Sequence, residues 1–139
     1  METGKPRTVG QSKKVLDFTD LETWKQAQKL RQLIYQLTAS FPKHESFGLT
    51  NQMRRAAISI TANIAEGFGR YSYQENIQFC RQSRGSIYEI RDHLTAALDA
   101  GYISTQECES SEQLALSVIR LVNGYIRATR NLKAASAGS

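Results

Sequence analysis

Apolar side chains along this chain recur every three or four residues, and no stretch alternates as a strand would. The first such stripe runs Leu21, Trp24, Ala27, Leu30, Ile34, Leu37 and Phe41. Thr19 and Glu22 stand at the spacing of a capping box at its start. Pro42 ends it, because proline lacks the amide a helix needs and biases the preceding residue toward extended backbone. The second stripe is Met53, Ala57, Ile60, Ile64 and Phe68, with Thr50 expected as N-cap. Alanines at 56, 57, 62 and 65 make this helix slim. Gly67 and Gly69, each costing about 1 kcal/mol relative to alanine inside a helix, mark a tight corner. The third stripe opens on the capping box Ser72 to Glu75 and runs Ile77, Cys80, Ser83 or Arg84, Ile87, Ile90, Leu94 and Leu98. Gly101 suits a left-handed C′ position, with Tyr102 or Ile103 folding back. The fourth follows a capping box from Ser104 to Glu107, with Leu114, Val118, Leu121, Tyr125 and Leu132 as its stripe.

The pattern thus predicts helices over about 20–40, 50–70, 72–100 and 104–133. Short connectors make consecutive helices antiparallel neighbours, so the expected fold is an all-α, up-down-up-down four-helix bundle spanning residues 19–133. Residues 1–18 read as a flexible, mildly basic arm, and residues 134–139 as a flexible tail.

A length of 139 residues fits one domain, and 40% apolar residues suffice for one core. No run approaches the ~20 apolar residues of a membrane span. The N-terminus has no apolar secretory region, which makes a cytoplasmic location the expectation. Cys80 and Cys108 lie inside expected helices and form no CxxC pair, so they read as free thiols in a reducing compartment.

Enzyme chemistry needs a nucleophile with its base, a metal set or a phosphate loop. Gly67-Phe68-Gly69-Arg70 is too short for a nucleotide-binding glycine motif and follows no strand. His44 falls in a connector, and His93 has no Glu-x-x-His pairing at bundle-metal spacing. No catalytic residue, cofactor or metal is expected. Helix two does carry a second stripe, polar this time: Gln52, Ser59, Asn63, Glu66 and Arg70. Ser86 and Glu89 on helix three offer a match for it, beside Gly85, whose missing side chain would let another backbone come close. A solvated face is one account of the stripe. A semi-buried network or a subunit interface is the other, and it fits the small and amide side chains on an alanine-rich helix.

The net charge of +5 suits an anionic partner and equally serves solubility. Lys13 and Lys14 in the arm, the adjacent Arg54 and Arg55 on helix two, and Arg120, Arg127, Arg130 and Lys133 on helix four are the candidate RNA-contacting residues. No acid occurs from residue 113 onward, whereas Glu107, Glu109 and Glu112 crowd the start of helix four. The helix macrodipole favours that arrangement by itself.

Residues 41–70, through Phe41-Pro42, Arg55 and Asn63-Ile64-Ala65-Glu66-Gly67, resemble the signature of the four helix bundle protein family. That family is also called the 23S rRNA intervening-sequence protein family, because its members were found encoded in insertions within the rRNA gene. The similarity continues through Ser72, Glu75, Phe79, Gly85-Ser86, Glu89 and the Ala100–Ile103 segment. With Asp20-Leu21-Glu22 and Trp24 it covers roughly residues 18–130. Thr61 departs from the pattern, since many relatives carry proline there. The resemblance implies a bundle assembled as a ring-like homopentamer, with no known catalytic activity. It also implies kinship to accessory proteins of diversity-generating retroelements, where a basic pentamer binds RNA and a reverse transcriptase.

The expectation is therefore a non-enzymatic homo-oligomer that binds structured RNA or an RNA–protein complex through basic surface. The alternative is a protein-interaction scaffold or accessory subunit, with a reverse transcriptase as one candidate partner.

Overall fold

In the computed structural model, which describes residues 14–138, four helices account for most of the described backbone. They are α1 (Glu22–Thr38), α2 (Leu49–Phe68), α3 (Tyr73–Asp99) and α4 (Thr105–Gly138), with single 3-10 turns at Phe18–Asp20 and Lys43–Glu45. Each helix packs on its neighbours in sequence, α4 returns against α1, and the diagonal pairs stay apart. That arrangement is the square cross-section of an up-down-up-down bundle, and the α2–α3 contact is its most extensive.

The core follows the helical stripes closely. Leu21, Ala27, Leu30, Ile34 and Leu37 point inward from the first, and Met53, Ala57, Ile60 and Ile64 from the second. From α3 come Ile77, Cys80, Ile87, Ile90 and Leu94. At the position left open on α3, Ser83 is the buried residue. Its hydroxyl donates to the Ile60 carbonyl at 2.8 Å, while Arg84 reaches Asn123 Oδ1 at 2.7 Å.

On α4 the buried face is Ala115, Val118, Ile119, Val122 and Ile126, rotated from the expected stripe. Leu114, Leu121 and Tyr125 become its half-buried flank, and Leu132 is exposed. The cause is an apolar surface covering more than half of the circumference, so contact with α1 and α3, and not spacing alone, fixes the rotation.

The helix ends show what else the pattern misjudged. Ser104 and Glu107 form the expected reciprocal box, at 2.9 and 3.0 Å, and Ser72 Oγ accepts the Glu75 amide at 3.0 Å. Thr19 and Glu22 form none. Instead Asp20 Oδ2 accepts the Leu16 and Asp17 amides, and Thr19 donates to Asp17. Nor does Thr50 cap α2, which begins one residue earlier with Glu45 Oε1 accepting the Leu49 amide at 2.9 Å. Gly101, at φ 79, closes α3 as expected, with Tyr102 N bonded to Ala97 O and Gly101 N to Leu98 O.

Both ends of the domain also differ from expectation. Residues 1–13, Lys13 among them, lie outside the described residues. Of the remaining arm, Val15 is only 2% exposed and Phe18 packs edge-on against Trp24 at 5.3 Å, so this segment belongs to the bundle. At the other end α4 continues to Gly138 where a flexible tail was expected. Ala134, Ala135 and Ala137 have the highest helix propensity, and nothing before Gly138 breaks the run.

Candidate functional site

Helices α2 and α3 meet so closely at Gly67 that a Cβ there would lie 2.8 Å from Asn76 Oδ1 and 3.0 Å from Phe79 Cβ. Gly67 is therefore a contact point between two backbones. Gly85, expected to serve that purpose on α3, has nothing within 4 Å of an added Cβ and sits on the exposed face.

The polar stripe of α2 divides into separate groups. Asn63 Nδ2 donates to the Ser59 carbonyl and hydroxyl, both at 2.9 Å, and Ser86 Oγ donates to Ser59 Oγ at 2.9 Å. These three half-buried residues form one seam between α2 and α3. Glu66 instead pairs at 2.8 Å with Arg70 of the α2–α3 connector, and Arg70 also lies 4.9 Å over the Phe79 ring. Glu89 contacts His93 at 3.1 Å, and Gln52 is exposed. The two carboxylates, Glu66 and Glu89, thus have separate partners.

The candidate cations divide in a similar way. Arg54 turns inward along α1: Nε donates to Thr38 Oγ1 at 2.9 Å, Nη2 reaches Tyr35 O at 3.4 Å, and the guanidinium stacks 4.6 Å from the Tyr35 ring centroid. Arg55, Arg120, Arg127, Arg130 and Lys133 are exposed, and Lys14 is half-buried. Arg120, Arg127 and Arg130 share one face of α4 by their spacing of seven and three. Lys133 Nζ donates to Gln74 Oε1 on α3.

Two features at the α2–α3 corner end of the bundle escaped the sequence reading. The first is a cavity of about 730 Å³ between the N-terminal segment, the corner and α4. Val15, Phe18, Phe68, Tyr71, Tyr73 and Tyr125 supply much of its wall. Asn76 Nδ2 donates to the Tyr125 hydroxyl at 3.0 Å on that wall, and burial raises the Tyr125 phenol above its ordinary range. Arg70 and Asp17 are the charged groups among the lining residues. The second is a cleft of about 200 Å³ on the outer α3–α4 surface, lined by Gln74, Ile77, Arg81, Arg130 and Lys133. The only sequence signal for the cavity was the run Tyr71-Ser72-Tyr73 directly after the Gly-Phe-Gly corner. Spacing says nothing of how the N-terminal segment folds over it.

A third hollow, about 460 Å³, lies farther along α3 and α4 beside the Arg91–Glu112 ion pair of 2.7 Å, and Asp92 and Glu109 also line it. The hydrogen bond from Arg91 to Glu112 raises the guanidinium pKa. One outer surface thus carries cations toward the corner end and acids toward the other. Among the described residues no three His, Cys, Asp or Glu side chains are grouped to hold a metal, and no helix is long and apolar enough to cross a membrane. Both cysteines are free thiols, and burial pushes the Cys80 thiol up to about 12.

Residues 19–124 match the family model described as 23S rRNA-intervening sequence protein. The chain is also similar to a crystal structure of a protein of unknown function from the S23 ribosomal protein family of Bacteroides thetaiotaomicron VPI-5482. The TM-score is 0.69 at 20% identity, over 75% of this chain and 97% of that one, which is a likeness of fold. No curated protein matches the chain.

Proposed function

We propose, from the premise that this chain belongs to the 23S rRNA-intervening sequence protein family, that it is a non-enzymatic homo-oligomeric bundle binding structured RNA or an RNA–protein complex through basic surface. The observation that carries this reading is the exposed Arg120, Arg127, Arg130 and Lys133 on an α4 segment with no acid after Glu112. Four cations on one segment favour a polyanion, because each phosphate they neutralise releases condensed counterions.

Titration of a structured RNA at several salt concentrations tests it. If all four cations meet phosphates, log affinity falls with log salt at a slope of roughly −3. Binding that ignores salt, or no binding at low salt, would remove the RNA reading. The ring of five copies implied by the family resemblance belongs to the same proposal. Light scattering should then give a mass several-fold above the 15.6 kDa of one chain, and a strict monomer would refute it.

A second reading, a protein-interaction scaffold such as an accessory subunit of a reverse transcriptase, draws on apolar side chains left in solvent. Phe47 in the first connector is 96% exposed, and Ile58 and Tyr88 stand out from α2 and α3. An apolar protein interface survives high salt where phosphate contacts do not, so a pull-down at raised salt separates the two readings.

A further inference from the structure

The large cavity and the small basic cleft are two sides of one ridge. Tyr73 lines the cavity and its neighbour Gln74 lines the cleft, and on α4 Leu132 and Lys133 divide in the same way. The contact from Lys133 Nζ to Gln74 Oε1 ties the two helices together along that ridge. A ligand seated across it would meet aromatic walls on one side and cations on the other.

We infer that this end of the bundle holds one unpaired nucleotide of RNA, with its base in the cavity and its phosphate in the cleft. The inference rests on the RNA-binding reading above and assigns it a site and a preferred RNA element.

The chemistry of each half supports the assignment. A volume of about 730 Å³ lies in the range of small-ligand sites, which are mostly apolar with a few polar groups. Tyr71 is fully exposed at the rim, and Tyr73 and Leu132 are also open to solvent, so planar rings are displayed instead of being packed away. Sequence-tolerant binding of single strands uses such rings, since every base has a face to stack. The Tyr125 hydroxyl, Asn76 and Thr129 supply polar groups toward the wall where a base edge would lie.

The cleft is lined by three cations and an amide, with no carboxylate. The acid next to it in sequence, Glu75, lies about 100° around α3 from Gln74. A paired base cannot enter the cavity because its faces are stacked and its edge is engaged, whereas an unpaired loop or end offers both. Of the cations involved, Arg81 on α3 lies outside the α4 segment that carries the general proposal.

Fluorescence anisotropy at low salt with three probes tests the assignment: a blunt RNA duplex, the same duplex with a single-stranded 3′ overhang, and adenosine 5′-monophosphate. The overhang should tighten binding about tenfold, the gain expected of a stacked base. The double variant Tyr71→Ala/Tyr73→Ala should lose that gain and keep its affinity for the blunt duplex. Arg81→Gln/Arg130→Gln should flatten the salt slope for the overhang RNA by about 1, and Lys29→Gln on α1 should leave it unchanged.

Equal affinity for the blunt and overhanging duplexes, or a gain that survives loss of both tyrosines, overturns this inference and leaves the general RNA reading standing. Adenosine monophosphate binding as tightly as the overhang RNA would make the ligand a free nucleotide and overturn the assignment to RNA. Absence of binding to every RNA removes the broader proposal, and this one with it.

Discussion

Tyr102 donates its hydroxyl to Glu45 Oε2 at 2.8 Å across 57 residues of sequence, while Oε1 of the same carboxylate accepts the Leu49 amide at 2.9 Å. One side chain thus caps α2 and clasps the first connector to the α3–α4 corner. Phe41, 5.1 Å from the Tyr102 ring, fills the space behind it.

The clasp predicts a specific pH dependence. The Leu49 amide first, then the Tyr102 hydroxyl, hold the Glu45 carboxyl below its ordinary value of 4.5. A depressed folded-state value means that this stabilisation is full above the unfolded value and is lost as pH falls through the folded one. Glu45→Gln should lower the thermal midpoint by a few degrees at pH 7, and its gap to the wild type should narrow in acid. Tyr102→Phe should share part of that loss, so the double variant should be less destabilised than the two single losses combined. Thermal melts between pH 3 and pH 7 give the comparison.

Two glycines should respond in opposite directions. Gly67→Ala places a methyl against Asn76 and Phe79, and pushing α2 off α3 should cost about 1–3 kcal/mol. Gly85→Ala meets nothing and should stabilise by up to about 1 kcal/mol through helix propensity. Urea midpoints of the two variants decide the matter.

Cys80 should resist alkylation. Its thiol is buried, donates to Asn76 Oδ1 at 3.7 Å and titrates at about 12, so almost no thiolate exists near neutrality. Mass spectrometry after iodoacetamide at pH 8 should find Cys80 unmodified in the folded protein and modified after denaturation. Rapid labelling without denaturant would show that the α2–α3 corner opens.

Arg54 and Arg127 should separate stability from binding. Arg54→Gln removes bonds to Thr38 and Tyr35 at the end of α1 and should cost about 1 kcal/mol, discounted for its partial exposure. Arg127→Gln should leave the melt unchanged and weaken RNA binding, with the salt slope reduced by about 1. A melt shift for Arg127, or none for Arg54, would reverse the roles given to them.

Much of the bundle was legible because helical spacing and breakers are local signals. Pro42, Gly101 and the boxes at Ser72 and Ser104 act within four residues of themselves, and the structure places helix ends beside each. What was not legible depends on contacts between distant segments. Glu45, not Thr50, caps α2 because the 3-10 turn at Lys43–Glu45 aims its carboxylate at the Leu49 amide. The rotation of α4 depends on two neighbours acting on a helix that is apolar on most sides.

The candidate residues show the same division. Ser59, Asn63 and Ser86 meet in one hydrogen-bonded seam. Glu66 and Glu89 find partners four residues along the chain, at Arg70 and His93, and Arg54 turns inward, a direction that adjacency to Arg55 could not supply. The cavity was hidden because Val15 and Phe18 read as part of a loose arm, and only their packing reveals an enclosing wall.

The close approach at Gly67 also bears on the order in which the chain folds. Only the four residues Gly69–Ser72 separate α2 from α3, so this hairpin closes a very short loop, which keeps the entropic cost low. The Glu45–Tyr102 clasp must span 57 residues and has to wait until α3 is complete. The hairpin should therefore form early, with α1 and α4 condensing on it. Crowding Gly67 should slow folding, whereas cutting the clasp should mainly hasten unfolding.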